Sequence, residues 1–527
     1  MASLENIIPE VQPSPRNSSK FRQQMGHVSR QSGVFFAGTI FTAAAGYLFK
    51  VYLARVLGAE ALGIYALGMT MVGLLGLFSA LGLPQAAVRF VATYFATGKT
   101  EQLGSFLIRG SLLLLFANLI AGAALLLVGP WISIHFYHTP ALKMYLWLFA
   151  LIMLLGTLNT FFGQVLAGYR DVARRTVITS FIGSPLMMVL TLAMIGLGLG
   201  LWGYIFAQVV SAVVVLMLLV ATVRRLTPKT ARTFSAGLPL EKQVISFCAA
   251  VFGMESLSFL MSQADKVLIG FYLGAREVGI YAVAAALVTF VPIILQSVNQ
   301  IFSPTIADLH ARGEHELLGR MFQTLTKWIL GLTFPLAAVM MIFAPALMRI
   351  FGHDFAAGWP ILVIGTVGQL VNCAVGSVGF LLLMSGHQKR LIRIQAVMAV
   401  AMIVLNVLLI PQWGIVGAAL AAAITNAVAN AWYLSEVRRS LRLSPYNRSY
   451  LRLALPLIGT LMVLALLHAE FSALRPEWVV IGMGLALAYL TFIGFALMFG
   501  LDTDDQLIAR AVWSRIRGAF PDAEADA

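Results

Sequence analysis

The sequence predicts an all-α integral membrane protein of about fourteen transmembrane helices, arranged as two repeated six-helix halves followed by two C-terminal helices. Three observations carry this: a composition too apolar for a water-soluble particle, apolar runs of spanning length, and an internal repeat at an offset of 216 residues. Of 527 residues, 60% are hydrophobic and 11% charged, against about a quarter charged in a soluble domain. Mean hydropathy is +0.87. Crossing about 30 Å of hydrocarbon takes roughly 20 apolar residues as a helix, which satisfies its own backbone hydrogen bonds. A spanning β-strand would alternate polar and apolar residues. The run LLLLFANLIAGAALLLVG at 112–129 does not.

Spans are expected near 32–56, 61–83, 104–128, 143–167, 176–198 and 202–223, then 245–272, 278–302, 323–348, 358–385, 392–411 and 414–436, with two more at 451–469 and 477–500. Proline within several of them (Pro185, Pro292, Pro335, Pro456) is tolerated in membrane helices. Residues 1–31 are polar, lack a signal core and read as a cytoplasmic tail. The two cysteines, Cys248 and Cys373, lie in apolar runs, which excludes a disulfide framework or a cysteine-based metal site.

The net charge of +14 could suggest nucleic acid, but its distribution points to a membrane. With the N-terminus in the cytoplasm, 29 of the 36 Lys and Arg fall on the cytoplasmic side, as the positive-inside rule requires. Arg55, Lys143, Arg276, Arg349 and Arg475 fall outside, and Lys50 and Lys266 within spans. An even span count returns the C-terminus to the cytoplasm. Both termini are therefore expected inside the inner (cytoplasmic) membrane of a bacterial cell.

The repeat is the sharpest signal. Lys50 to Ala66 reads KVYLARVLGAEALGIYA and Lys266 to Ala282 reads KVLIGFYLGAREVGIYA, identical at nine of seventeen positions without a gap. Each half closes alike, with Trp202-Gly203 then Val223-Arg224-Arg225, and Trp413-Gly414 then Val437-Arg438-Arg439. Six helices per unit is even, so both halves enter from the same side. That is a parallel repeat about an axis along the membrane normal, an architecture that places a central cavity between two lobes. The domains follow: a tail at 1–31, an N-lobe at 32–226, a linker at 227–243, a C-lobe at 244–440, a helix pair at 449–500 and a tail at 501–527. In that last tail Ile508, Val512, Ile516 and Phe520 form one apolar stripe, expected to lie on the cytoplasmic leaflet.

The two LGA(E/R)xxGIYA elements and the WGIVGAALAAAIT opening of the twelfth span resemble the polysaccharide transporter (oligosaccharide flippase) family of the multidrug/oligosaccharidyl-lipid/polysaccharide exporter superfamily. The resemblance covers about Ser32 to Gly500. It implies a V-shaped pair of lobes around a cavity open alternately to each side. It also implies a flippase for undecaprenyl-diphosphate-linked oligosaccharide, a precursor of O-antigen or exopolysaccharide. A polysaccharide polymerase and a chain-length regulator would be further partners. It implies no covalent catalysis and no cofactor.

The residues themselves point to a cavity face. Charge at mid-bilayer costs about 2.5–3.5 kcal/mol on insertion scales, so it usually faces a cavity or a partner. Glu255, Ser258, Ser262, Asp265 and Lys266 fall within about 100° of one helix face. Shifted by 216 residues, this stripe becomes Thr39, Thr42, Gly46, Phe49 and Lys50. Lys50 and Lys266 are therefore candidate cations for a diphosphate, with Thr39, Thr42, Ser258 and Ser262 as neutral contacts. Snorkelling to the interface is the alternative reading of both lysines. Glu255 and Asp265 are candidates for ion coupling. Burial would favour protonated Glu255 and permit proton exchange near neutral pH; a structural carboxylate is the alternative. Asp265 is expected to pair with a basic group on another helix. The amides Gln164, Gln208, Gln296, Asn299, Asn372, Asn406, Asn426 and Asn430 suit sugar contacts or interhelical packing. Trp131, Tyr137, Trp147, Trp202 and Trp359 read as interface anchors.

Two other functions compete. A cation-coupled multidrug exporter of the same superfamily would want carboxylates in the first half's stripe, which has none. A membrane glycosyltransferase or polysaccharide polymerase would want a sizeable outer loop bearing carboxylates. The longest outer loop, Gly129 to Leu142, contains no Asp or Glu. No nucleotide-binding motif is present, so no ATP drive is expected within the chain. The topology makes a direct prediction: reporters fused after Leu226 and after Leu443 both read cytoplasmic, and an outside signal at either breaks the span assignment.

Overall fold

The computed structural model describes residues 15–228, 241–471 and 477–498, with their side chains apart from those of 15–40, 42–44, 448–449, 451 and 471. The expected amphipathic stripe at Ile508 to Phe520 lies outside the described residues. Throughout the described residues the regular structure is helical, as the composition requires. The helices are α1 (Pro15–Ala80), α2 (Leu83–Ala96), α3 (Thr100–Trp131), α4 (Leu146–Gly168), α5 (Val172–Thr176), α6 (Ser184–Gly196) and α7 (Gly200–Leu226). They continue as α8 (Lys242–Leu273), α9 (Ala275–Val288), α10 (Ile293–Ala311), α11 (His315–Ile342), α12 (Ala344–Phe351), α13 (Trp359–Val375), α14 (Val378–Met384), α15 (Gln388–Ser440), α16 (Ala454–Phe471) and α17 (Glu477–Met498).

Ten of the described helical stretches are long and apolar enough to cross a membrane, or eleven if α9 and α10, bent by 51° at their junction, count as one span. The sequence expectation was about fourteen. Part of the difference is that α1 and α15 each run through a glycine at which the sequence reading divided them, Gly58 and Gly414. Another part is the apolar stretch of α16, Ala454–Glu470, which falls below spanning length.

The chain divides into two compact units. One comprises residues through 50, 71–130 and 143–256; the other comprises 51–70, 131–142 and everything from 257. In the first, the buried centre is aromatic. The Phe90 ring lies 6.3 Å from Phe106 and 5.9 Å from Phe247, and Phe106 lies 6.1 Å from Phe161. Lipid supplies no hydrophobic drive between helices, so close packing over small residues holds them. Gly168 of α4 lies directly on Val91 of α2, and Ser211 of α7 donates to the Gly183 carbonyl at 2.9 Å. Asn118 of α3 is buried and its side-chain oxygen accepts from Ser79 at 2.9 Å and Thr157 at 3.2 Å, tying α1, α3 and α4.

The second unit explains the repeat. Gly58 and Gly274 are related by the 216-residue offset and share one backbone conformation, with φ/ψ of 79/175° and 95/−174°. That region is open essentially only to glycine. Each glycine breaks the helix one residue before the element that contains GIYA. Those elements cross reciprocally. A Cβ on Gly63 would lie 1.6 Å from the Ala275 carbonyl oxygen, and a Cβ on Gly279 would lie 2.0 Å from that of Ala59. Ala59 and Ala275 are repeat equivalents, as are Gly63 and Gly279. The motif is thus a two-fold interlock in which each half supplies a glycine and a carbonyl. Elsewhere in this unit Asn426 of α15 donates to the Gly368 carbonyl at 3.1 Å, and Tyr489 of α17 donates to that of Leu332 at 3.0 Å. Tyr137, expected as an interface anchor, is instead buried, with its ring against Gly270. Trp131, Trp147 and Trp359 are exposed.

Because the atom facing Gly63 belongs to backbone, no rotamer change can make room for a side chain. Gly63→Ala and Gly279→Ala are each expected to destabilise by at least the roughly 1–3 kcal/mol typical of overpacking. Gly46→Ala, with open space around its Cα, is the neutral control. Thermal unfolding of the purified variants checks this; equal melting of Gly63→Ala and Gly46→Ala would remove the interlock as a structural constraint.

Candidate functional site

Helix α8 carries the predicted polar face. Only 6% of its most apolar stretch is buried, the lowest value among the described spans. Glu255, Ser258 and Ser262 are exposed on it, whereas Asp265 is buried and Lys266 half-buried. An exposed polar stripe on a span is costly against hydrocarbon and is stable where it meets water or a polar ligand. Apolar Met254 and Leu260 are exposed on the same helix, so it also presents surface suited to lipid.

In the second unit, Asp265 and Lys266 are each held by a named partner. The Tyr281 hydroxyl donates to Asp265 Oδ2 at 2.6 Å, and the Lys266 backbone N–H donates to Asp265 Oδ1 at 2.7 Å. The expected basic partner of Asp265 is therefore a tyrosine hydroxyl on α9. Hydrogen-bond donors satisfy a buried carboxyl without a second buried charge. Lys266 Nζ donates to Gln263 Oε1 at 2.9 Å, one turn earlier on α8. A neutral amide fixes the ammonium, the neighbouring Asp265 carboxyl attracts it, and further N–H donors remain available for an anion. Ser262 donates to the Phe259 carbonyl at 3.3 Å, which leaves its oxygen able to accept.

In the first unit, Lys50 is exposed, and among the described residues no carboxylate is ion-paired with it. Phe49, at the repeat position of Asp265, is buried with its ring 6.4 Å from Tyr204. The side chains of Thr39 and Thr42 lie outside the described residues. Glu255 accepts from Gln85 Nε2 at 3.1 Å, and the neighbouring Phe252 ring lies 5.6 Å from Phe78. Glu255, expected near the middle of its span, is exposed on the surface of the protein itself.

Several polar groups take structural positions. Asn406 is fully buried and donates to the Met402 carbonyl at 2.7 Å, and Asn430 donates to Asn426. Gln164 accepts from the half-buried Arg175 at 3.1 Å. Arg55 donates to the Ile350 carbonyl at 2.7 Å, and Arg276 lies 3.9 Å from Asp354. Sequence reasoning missed Tyr281, Gln263 and Gln85. Tyr281 carried a signal, since the tyrosine of GIYA recurs at Tyr65, but its partner could not be read from spacing. Among the described residues no group of His, Cys, Asp and Glu is arranged to hold a metal ion.

Comparison with known proteins agrees with this architecture. The profile of the family described as Polysaccharide biosynthesis protein matches residues 28–310, and that of MatE matches 250–411. The chain is 27% identical over 191 residues to the succinoglycan biosynthesis transport protein ExoT of Rhizobium meliloti (strain 1021), covering 36% of this chain and 37% of that one. It is 25% identical over 181 residues to the probable low-salt glycan biosynthesis flippase Agl15 of Haloferax volcanii, covering 34% and 38%. The chain thus spans little more than a third of either relative. In fold it is similar to the lipid II flippase MurJ in an inward closed conformation, with a TM-score of 0.66, 14% identity, and 88% and 98% of the two chains covered.

The Tyr281–Asp265 bond is expected to exceed the average interhelical hydrogen bond of about 0.6 kcal/mol in membranes, because its acceptor is a carboxyl group. Tyr281→Phe should cost about 1.5–3 kcal/mol, and Asp265→Asn should lose part of the same energy. A double-mutant cycle on unfolding measures it. Full additivity would mean that the two groups are not coupled.

Proposed function

The chain belongs to the polysaccharide biosynthesis protein family, and on that premise we propose that it is a secondary transporter flipping lipid-diphosphate-linked oligosaccharide from the cytoplasmic to the outer leaflet by alternating access. At the coarser level it is a multi-pass membrane transporter of the multidrug/oligosaccharidyl-lipid/polysaccharide exporter superfamily. In the proposed arrangement the N-lobe (32–226) and C-lobe (244–440) enclose the path, with the pair at 449–500 outside the repeat. Both termini face the cytoplasm of a bacterial inner membrane. The observation that carries the reading is the exposed polar stripe on α8 ending at Lys266, whose ammonium is held by Gln263 and, among the described residues, forms no ion pair.

In this reading Lys50 and Lys266 bind the diphosphate, while Thr39, Thr42, Ser258 and Ser262 contact neutral parts of the substrate. The lysine is a point charge on a flexible stem, able to follow a phosphate through a conformational change. An inside-negative potential aids outward movement of the anionic head group by about 2.3 kcal/mol per charge per 100 mV. Glu255 and Asp265 are the candidates for ion coupling. Of the two, exposed Glu255 is accessible for exchange and Asp265 is held by Tyr281. A polymerase and a chain-length regulator would act on the delivered glycan.

Proteoliposomes carrying a labelled polyprenyl-diphosphate oligosaccharide test this. Lys50→Ala and Lys266→Ala should each reduce flipping about tenfold or more, the equivalent of a lost hydrogen bond to a charged group. Lys→Arg should keep part of the activity, and the double variant should be non-additive. In the same vesicles Glu255→Gln should weaken any dependence on a proton or sodium gradient. Intact flipping in the double alanine variant would refute the cationic site. Wild-type export of cationic drugs without flipping would favour the multidrug reading.

A further inference from the structure

A groove of about 640 Å³ opens in the first unit where α3, α4 and α7 meet. Its walls are apolar, including Leu107, Leu112, Phe162 and Val220, and Arg224 stands on its lining. We propose that this groove binds an anionic glycerophospholipid, with an acyl chain along the apolar wall and the phosphate on the Arg224 guanidinium. The inference is independent of the transported substrate.

The chemistry of the lining selects this occupant. Two other polar side chains border the groove, Ser111 and Thr227, and both hydroxyls are committed as donors. Ser111 Oγ donates to the Leu107 carbonyl at 2.6 Å; Thr227 Oγ1 donates to that of Val223 at 2.8 Å and meets the Tyr169 hydroxyl at 3.0 Å. Arg224 is exposed, and among the described residues no carboxylate is paired with it. One fork of unspent N–H donors above an apolar wall matches an amphiphile with a single phosphate.

Other ligands fit poorly. A soluble anion would leave the apolar wall unused, and a zwitterionic lipid would bring its own cation to the arginine. A peptide would leave backbone groups unpaired against Leu, Phe and Val. A glycan-bearing lipid needs many donors and acceptors for its hydroxyls, and besides Arg224 the lining offers only the remaining acceptor capacity of Ser111 and Thr227. Position fits as well. Arg224 lies in the last turn of α7, and Val220 to Thr227 rises about 10 Å. That is within one leaflet of a hydrocarbon core about 30 Å thick. An arginine there reaches the head-group level while its stem stays against apolar surface. Leu112 is 55% exposed, so the wall is accessible from the side of α3.

The test is lipid retention by the full-length protein. It is purified from vesicles of equal phosphatidylglycerol and phosphatidylcholine with matched chains, and the bound lipid is weighed by native mass spectrometry. The wild type should retain phosphatidylglycerol by roughly fivefold over phosphatidylcholine, the preference one arginine near a membrane surface confers. Arg224→Gln should bring the ratio near one, and Leu112→Trp, which fills the groove from an exposed position, should reduce retention of both. Arg312→Gln, at an arginine paired with Asp308 at 3.0 Å in the other unit, should leave the ratio unchanged. Thermal unfolding confirms that each variant is folded. Equal retention of the two lipids by the wild type would overturn the proposal, as would an undiminished ratio in folded Arg224→Gln. Displacement of phosphatidylglycerol by a polyprenyl diphosphate that Leu112→Trp also blocks would overturn it in favour of the substrate lipid.

Discussion

The second unit depends on a crossing of two helices with no side chain between them. At Gly63 and Gly279 one backbone lies against the Ala275 carbonyl and the other against that of Ala59. In lipid, close approach of this kind gives the dispersion contact and weak Cα–H···O interactions that hold helices together without a hydrophobic drive. Gly58 and Gly274 set the approach by breaking each helix at the same repeat position. The crossing is reciprocal, so a change in one half is met by the same chemistry in the other. It also accounts for the assignment of residues 51–70, early in the chain, to a unit otherwise formed mainly by residues beyond 257.

On this frame the polar groups of the spans are handled in two ways. Several that are buried or half-buried meet neutral donors and acceptors: Asp265 with Tyr281, Asn118 with Ser79 and Thr157, Asn426 with the Gly368 carbonyl. These pairs avoid a second buried charge and its desolvation cost. Where they are exposed, at Lys50, Glu255, Ser258 and Ser262, the surface is left polar. The halves diverge most at one register position. Phe49 and Asp265 are equally buried, yet one contributes a ring and the other a carboxyl. Whatever symmetry the backbone keeps, the chemistry of the two polar faces is not duplicated.

The membrane class and the GIYA repeat were legible because both are local properties of consecutive residues. The stripe on α8 was legible for the same reason, since 3.6-residue periodicity maps sequence onto a helix face. Glu255, Ser258 and Ser262 are all exposed on the surface of the protein itself. Tyr137 shows the opposite limit. Its aromatic type and loop position suggest an anchor, but Gly270 leaves room for the ring to be buried. The amides were ambiguous in sequence, because Asn406 against a helical carbonyl and an amide facing a sugar look identical in a string of letters.

The sequence by itself determined that this chain must be helical and membrane-spanning and that its two halves share a motif. Those follow from backbone hydrogen bonding in hydrocarbon and from the composition of continuous segments. Tertiary structure alone decided that the motif glycines face carbonyls of the other repeat, that Tyr281 satisfies Asp265, and that α3, α4 and α7 leave a groove beside Arg224. Periodicity identifies the face a residue occupies on its own helix. Which neighbour meets that face is set by close packing among helices far apart in the chain, and no local pattern encodes it.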